Sequence, residues 1–398
     1  MKNQLNIFGT EKITVAESID LTIASLKEYG SRHRHWAAAW SWGKDSTAMV
    51  TLITQLINTG QIPAPESFTI FAADTRMELI PLWLSSQVIK KQLEERGVRV
   101  EIVTAPLDDR FLVYILGRGV PPPSNTFRWC TGKIKVEPME AAVAEFIGKK
   151  KEKILMLTGV RQGESAVRDQ RINVSCSKDG SECGQGWYQT GLQNDLCATL
   201  APLLHWRVCN VWDWLKIFAP MPKHGGWNTT LLADAYGGEE AEEINARTGC
   251  LGCPLVDKDT SLNTVCELVK WKYLTPLKGL KLIYREMRMP QYRLRKEGGQ
   301  TNKDGKLSKN QQRMGPLTLD ARKKFLKEIL QIQSDVNLLA KEHEMPEIDI
   351  LNRKEISRIE EMIAAGIYPN GWDGSEPVAS IPLDKMYSDG SIMQRLFY

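Results

Sequence analysis

The fold is decided by residues 36–56, which read WAAAWSWGKDSTAMVTLITQL. The run from Trp36 to Trp40 is short and apolar, as in a buried strand, and the apolar residues from Ala48 to Leu56 recur at helical spacing. A polar loop containing Gly43 and Lys44 separates them. A strand, a glycine-containing loop and a helix together predict an anion site, because backbone N–H groups and the helix dipole favour negative charge at a helix N-terminus.

The alternation of strands and helices continues along the chain. We predict strands at 68–73, 98–104, 153–160 and 198–204, and helices at 14–29, 79–96 and 211–218. Thr14 and Glu17 form a capping box at the start of the first helix. This alternation predicts an α/β fold with a parallel twisted sheet and flanking helices.

The chain divides by pattern into three segments. We expect an N-terminal helix at 1–30, a nucleotide-binding α/β domain at 31–235 and a helical C-terminal domain with a cysteine cluster at 236–398. No tract of roughly 18 apolar residues is present and the first residues lack a leader pattern, so we expect a cytoplasmic protein with no membrane partner. The net charge of +4 does not by itself indicate a nucleic-acid partner.

The loop at 41–47 differs from a Walker loop, which needs GxxxxGK followed by Ser or Thr. Three further patterns follow it in order: Ala73-Asp74-Thr75, Gly159-Val160-Arg161, and the stretch 202–206, PLLHW. This set resembles the PP-loop of the ATP pyrophosphatase and PAPS reductase superfamily over about residues 36–215.

The resemblance implies an adenine nucleotide alpha hydrolase-like fold. It also implies an enzyme that uses Mg²⁺ and cleaves ATP between the α and β phosphates. The residues implied in ATP binding are Ser41, Trp42, Gly43, Lys44, Asp45, Ser46, Thr47, Asp74, Gly159, Arg161 and Arg168. Lys44, Asp45 and Ser46 are expected to carry the reaction. A turn or cap role for Asp74, and surface ion pairs for Arg161 and Arg168, are the alternatives.

Cys250-x-x-Cys253 lies between glycines and Pro254, in a tight turn that can direct two thiolates at one metal. With Cys130 it resembles the iron–sulfur ligands of assimilatory APS reductases, although Thr131 stands where that family has a second cysteine. The resemblance implies a [4Fe-4S] cluster on Cys130, Cys250 and Cys253, with Cys266 as the first choice for the fourth ligand and Cys209 or an exogenous ligand as alternatives.

Structural zinc is the other interpretation of this cysteine set. For Cys266 a buried thiol is an equal alternative, and Cys197 and Cys209 are expected in the core because apolar residues surround them. Cys176 and Cys183 are expected in an exposed loop.

Sulfonucleotide reductases carry a catalytic cysteine in a C-terminal tail, whereas this sequence ends in SIMQRLFY. The PP-loop, the cysteine motifs and Tyr284-Arg285-Glu286 together resemble the DndC and SspD proteins of bacterial DNA phosphorothioation. That resemblance implies adenylation of a DNA phosphate for sulfur incorporation, with a cysteine desulfurase or other sulfur donor and other phosphorothioation subunits as partners.

Basic residues are concentrated between Lys278 and Lys296, and a strip of cations can follow a phosphate backbone. We expect Arg285, Arg288, Arg293 and Arg295 to contact DNA, with a solvated helix face as the alternative. Sulfonucleotide reduction, tRNA thiolation and an iron–sulfur subunit without turnover are the rival functions.

Overall fold

The computed structural model describes residues 13–164, 169–170, 187–192, 196–238, 248–296, 305–306, 313–380, 385–386 and 392–393. The predictions for Arg168, Cys176 and Cys183 lie outside these residues. Within the described parts, no helix has the length and apolar character needed to cross a bilayer.

A six-stranded sheet forms the centre of the α/β fold. Its strands are β1 His35–Trp40, β2 Ser67–Asp74, β3 Arg99–Thr104, β4 Ile154–Thr158, β5 Trp187–Leu192 and β6 Cys197–Ala201. The spatial order is β3-β2-β1-β4-β6-β5. β1 is parallel to β2 and β4, β4 is parallel to β6, and β5 is antiparallel to β6 at the edge. The predicted fold class is confirmed, with an antiparallel edge strand that the parallel interpretation missed.

The strand order reverses beside β1. The chain moves outward from β1 to β2 and β3, and then returns to place β4 on the other side of β1. The loops after β1 and β4 therefore leave neighbouring strands in opposite directions. Such a topological switch point opens a crevice at the carboxyl ends of the strands, where α/β proteins bind ligands.

Helices connect the strands of this sheet, and further helices follow it along the chain. They are α1 Val15–Ser25, α2 Lys44–Asn58, α3 Ile80–Glu95, α4 Trp129–Thr131, α5 Glu137–Lys150, α6 Val208–Asp213, α7 Thr260–Glu267, α8 Gly279–Glu286, α9 Leu319–Glu342 and α10 Arg353–Ala364. The capping box between Thr14 and Glu17 is present. In the sheet core, Phe71 and Ile154 pack with Phe146 and Ile147 of α5.

The chain forms two compact units, each assembled from separate stretches. The first comprises Met1–Asp74, Leu79–Val103 and Met139–Thr248, and the second comprises Thr75–Glu78, Thr104–Pro138 and Gly249–Tyr398. Residues 104–138 thus lie outside the α/β unit to which the sequence pattern assigned them. Buried Glu355 of α10 explains part of this arrangement, because it pairs with Arg76 and Arg110 from the two inserted stretches.

Candidate functional site

The loop after β1 is held in a fixed turn by its own polar groups. The Ser41 N–H donates to Ser46 Oγ at 3.1 Å, and Ser46 Oγ donates to the Gly43 carbonyl at 3.1 Å. Trp42 is 1% exposed and has a φ of 63°, a left-handed conformation that costs a large side chain energy and is typical of functional loops. The turn directs the start of α2 toward the carboxyl end of the sheet.

Two charged residues of the first turn of α2 meet an arginine from the loop after β4. Arg161 Nε lies 2.5 Å from Asp45 Oδ1, and Lys44 Nζ lies 3.4 Å from Asp45 Oδ2. Arg161 is 4% exposed and also donates to the Trp206 carbonyl at 3.1 Å. The two cations share one carboxylate, so the three groups carry a net positive charge at the switch point.

Gly159 directly follows β4 and lies against this turn. A Cβ at Gly159 would lie 2.9 Å from both the N and Cα atoms of Ser46. Only glycine therefore allows the β4 loop and the first turn of α2 to come this close. The structure brings Lys44, Asp45, Ser46, Gly159 and Arg161 together, and their role in binding ATP stays a prediction.

Tyr236 is a site residue that the sequence analysis missed. Its hydroxyl oxygen accepts the Lys44 N–H at 3.0 Å, and its ring centroid lies 5.0 Å from Lys44 Nζ. Burial raises the pKa of Tyr236 to about 12, so the phenol stays protonated at neutral pH. Because 192 residues separate the two partners, no local pattern indicated this contact.

Asp74, the other predicted nucleotide contact, is the last residue of β2 and is half-buried. A cavity of about 730 Å³ opens at the opposite end of the sheet, where Ser67 begins β2 and Arg99 begins β3. Its described lining contains none of the predicted nucleotide-binding residues.

In the second unit, Cys250 and Cys253 lie on a tight turn. The Cys253 N–H donates to the Cys250 carbonyl at 3.1 Å, and Gly252 has a φ of 62° that favours glycine. Asp259, the N-cap of α7, accepts the Gly252 N–H at 3.1 Å and thereby fastens the turn to that helix.

Basic side chains of α8 and the residues just after it hold this turn. Lys281 Nζ donates to the Val256 carbonyl at 2.5 Å, Arg285 to the Asp257 carbonyl at 2.7 Å, and Arg288 to the Pro254 carbonyl at 2.9 Å. Their spacing places them on one helix face. The face that was predicted to follow DNA is thus directed at the cysteine turn.

The other two arginines of the predicted strip are internal. Arg293 and Arg295 are 6% and 4% exposed, and Arg293 Nε donates to the Gly315 carbonyl at 2.6 Å. Because both arginines are buried, they present little surface to a DNA strand that passes over the outside of the protein.

Cys130, Cys250 and Cys253 are grouped, and we call them the cysteine group. Cys250 is exposed as a residue, but its thiol is largely buried. The pKa of this thiol is raised to about 12, first by burial and then by Cys253, Glu78 and Cys130. Burial also raises the pKa of Cys130. Among the described residues, no three His, Cys, Asp or Glu side chains are placed to hold a single metal ion.

The structure does not bring Cys266 into the cysteine group. Cys266 is buried on α7, and the ionisable groups acting on it are Lys278, Asp259 and Glu267. Cys197 is buried in the core as expected, whereas Cys209 is exposed. The expectation of a core Cys209 is wrong because the first turn of α6 presents it to solvent.

Tyr284 lies against the cysteine turn. It is 1% exposed, and its Cε2 would be 3.3 Å from a Cβ at Gly252. Its buried Oη has no hydrogen-bond partner among the described residues. Burial, with smaller contributions from Cys253 and Cys250, raises the pKa of Tyr284 well above its usual value.

Residues 35–217 match the family model described as the phosphoadenosine phosphosulfate reductase domain. No curated protein is significantly similar to the chain.

Similar solved structures include three enzymes. The PAPS reductase of Candida auris, in a phosphate complex, is 12% identical over 52% of this chain and 88% of its own, with a TM-score of 0.32. The U34-tRNA thiolase NcsA of Methanococcus maripaludis, with its [4Fe-4S] cluster, is 16% identical over 69% and 82%, with a TM-score of 0.33. The FMN adenylyltransferase of Candida glabrata, with FMN and the ATP analogue AMPCPP, is 15% identical over 52% and 60%, with a TM-score of 0.31.

Proposed function

We propose that this chain, whose residues 35–217 match a PAPS reductase domain, is an ATP pyrophosphatase that adenylates a DNA backbone phosphate for sulfur incorporation. One observation carries the ATP step: Lys44 and Arg161 converge on the first turn of α2 at the switch point of the sheet. A helix N-terminus with two cations and one carboxylate suits the triphosphate of ATP.

The chemistry follows from charge. An oxygen of the DNA phosphate attacks the α-phosphorus of ATP, the bond to the bridging oxygen breaks, and pyrophosphate leaves with the electron pair. Lys44 and Arg161 would stabilise the charge that develops on this leaving group. Asp74, at the carboxyl end of β2, supplies a carboxylate of the kind that Mg²⁺ prefers.

The adenylated phosphate has a better leaving group than a plain phosphate oxygen. Hydrosulfide, or an equivalent reduced sulfur supplied by a donor protein, attacks the DNA phosphorus. The P–S bond forms as the P–O bond to AMP breaks, and AMP departs with that oxygen. No net oxidation or reduction occurs, so the step needs no further co-reactant.

The cysteine group fits an iron–sulfur cluster by its donors. Three thiols and the Tyr284 hydroxyl, which has no hydrogen-bond partner among the described residues, lie in one unit. A buried hydroxyl of this kind is costly unless a bound group accepts a hydrogen bond from it. A four-iron cluster also needs ligands farther apart than a single ion does. Cys130, Cys250 and Cys253 would hold such a cluster, whose chemistry would be to bind and deliver reduced sulfur.

The test combines anaerobic, iron-loaded protein with ATP, Mg²⁺, sulfide and DNA, followed by nuclease digestion and mass spectrometry. We expect phosphorothioate-linked dinucleotides that disappear in Lys44→Ala. Lys91→Ala is the matched control, because Lys91 is 79% exposed in the same unit. DNA that contains no phosphorothioate linkage contradicts the proposal.

Sulfonucleotide reduction is the second candidate, and the match of residues 35–217 favours it. That reaction needs a nucleophilic thiol, and Cys209 is exposed. Sulfite released from PAPS or APS with thioredoxin, and lost in Cys209→Ser, would replace the first proposal with this one.

A further inference from the structure

A cavity of about 690 Å³ in the second unit combines aromatic rings with guanidinium groups. It is lined by Tyr114, Phe127, Trp372, Arg288, Arg293 and Arg313. None of the described residues that line it is Asp or Glu. The volume is typical of small-molecule sites, and the lining offers positive charge beside flat apolar surfaces.

The arginines are oriented by backbone oxygens. Arg293 Nε donates to the Gly315 carbonyl at 2.6 Å, and Arg288 donates to the carbonyls of Pro123 and Pro254. Arg288 Nε is buried without a hydrogen-bond partner among the described atoms. Burial and then Arg288 lower the pKa of Arg293 to about 10, so Arg293 remains charged at neutral pH. Carbonyls orient these charges but do not neutralise them, which leaves the cavity suited to a phosphate.

The aromatic wall is open to a ligand. Phe127 is 44% exposed, and an antiparallel bridge between Ser124 and Phe127 fixes its backbone. Trp372 packs against Gly315, where a Cβ would collide with its ring. Rings that are held in place yet partly exposed are the surfaces on which nucleic-acid bases stack.

The same cavity adjoins the cysteine group. The Arg288 guanidinium connects Pro123 with Pro254, the residue after Cys253. On the other side, Trp129 Nε1 donates to the Pro121 carbonyl at 3.0 Å, and Trp129 precedes Cys130. Both walls of the cavity are thus tied to cysteine-bearing segments.

We propose that this cavity takes one nucleotide unit of a single DNA strand, with its base against Phe127 and Trp372 and its phosphate at Arg288, Arg293 and Arg313. The choice of DNA rests on the proposed function. A base inside a duplex cannot reach such a wall, so the nucleotide enters from a single strand or after it leaves the stack.

The experiment measures binding of a labelled single-stranded oligothymidylate to the full chain by fluorescence anisotropy, without ATP or sulfide. Phe127→Ala should weaken binding by about 5- to 150-fold, the range for losing one stacked base, and Phe127→Tyr should retain it. Arg313→Ala should reduce the slope of log affinity against log salt by about 0.7, the value for one phosphate contact on a single strand. Both residues are exposed, so these variants should fold.

Arg353→Ala, at the exposed start of α10 outside the cavity lining, is the charge-matched control and should leave affinity unchanged. Wild-type affinity and salt slope in both Phe127→Ala and Arg313→Ala would overturn the proposal. If duplex DNA binds more tightly than the single strand, the cavity belongs to a duplex-binding surface and the single-strand assignment is overturned. If thymidine monophosphate binds as tightly as the single strand, the cavity is a site for a free nucleotide and the assignment is overturned as well. Strand binding that depends on Phe127, in a protein that never sulfurates DNA, would refute the proposed function and leave the cavity assignment standing.

Discussion

Replacing Gly159 by alanine tests the close approach of the loop after β4 to the first turn of α2. The new Cβ would lie 2.9 Å from Ser46 Cα, roughly 0.6 Å inside the optimum carbon–carbon separation of about 3.5 Å. The obstacle is backbone, so no side-chain rotation relieves the contact. Overpacking of this kind costs about 1–3 kcal/mol of the free energy of unfolding.

The displacement should affect catalysis more than stability. Moving the first turn of α2 by a few tenths of an ångström separates Asp45 from Arg161, which meet at 2.5 Å. Misplacement of reacting groups by about 1 Å can cost on the order of a hundredfold in rate. We expect Gly159→Ala to release pyrophosphate from ATP at least about tenfold more slowly, with a lower urea midpoint for unfolding.

Gly148→Ala is the matched control. Gly148 lies in α5, and a Cβ at this position would meet no atom within 4 Å, so alanine should add helix stability of about 0.5–1 kcal/mol and leave ATP cleavage unchanged. If Gly159→Ala unfolds at the wild-type urea concentration and cleaves ATP at the wild-type rate, the steric argument for this site is refuted.

Three further outcomes are expected. Arg161→Ala leaves the half-buried Asp45 carboxylate with Lys44 as its remaining cation, so it should cost about 1.5–3 kcal/mol of unfolding free energy, measured by urea unfolding. Most ATP cleavage should also be lost in a pyrophosphate assay, and near-wild-type values of both would remove the pair from the site. Tyr284→Phe should not destabilise the metal-free protein, because the hydroxyl that it removes has no hydrogen-bond partner among the described residues. In the reconstituted protein the same variant should make the reduction potential of the cluster more negative, as measured by voltammetry. An unchanged potential would argue against a hydrogen bond from Tyr284 to the cluster. A hydrogen bond from Arg358 lowers the pKa of Asp108, so Asp108→Asn should reduce the free energy of unfolding by less than about 1 kcal/mol above about pH 4. The difference in stability between wild type and variant should vanish as the pH falls through the lowered pKa. A stability difference that grows in acid would contradict this sign.

Local patterns predicted the parts of the fold whose causes are local. The strand at Trp36–Trp40, the loop and α2 follow from hydrophobic spacing and from a glycine at the point where the chain turns. The edge strand Trp187–Leu192 was missed because it is antiparallel and follows a polar stretch, so nothing in the βα alternation required it. The sequence pattern did not show that residues 104–138 group with the C-terminal helices, because contacts such as Arg110 with Glu355 join residues far apart in the chain.

The candidate site divides in the same way. The grouping of Lys44, Asp45 and Arg161 was predicted because two adjacent parallel strands end there. The contact of Tyr236 with Lys44 depends on tertiary packing and leaves no periodic signal. The basic residues between Lys278 and Lys296 show most clearly what sequence spacing leaves open. Spacing alone cannot distinguish a helix face that meets solvent from a face whose side chains bind backbone carbonyls, as Lys281 and Arg285 do.

The most direct test of the central claim is the identity of the products of ATP in the presence of DNA, determined by phosphorus NMR. The charge arrangement at Lys44 and Arg161 predicts AMP and pyrophosphate, with cleavage abolished by Lys44→Ala and retained by Lys91→Ala. ADP and orthophosphate, or AMP and pyrophosphate at an undiminished rate in Lys44→Ala, would contradict it.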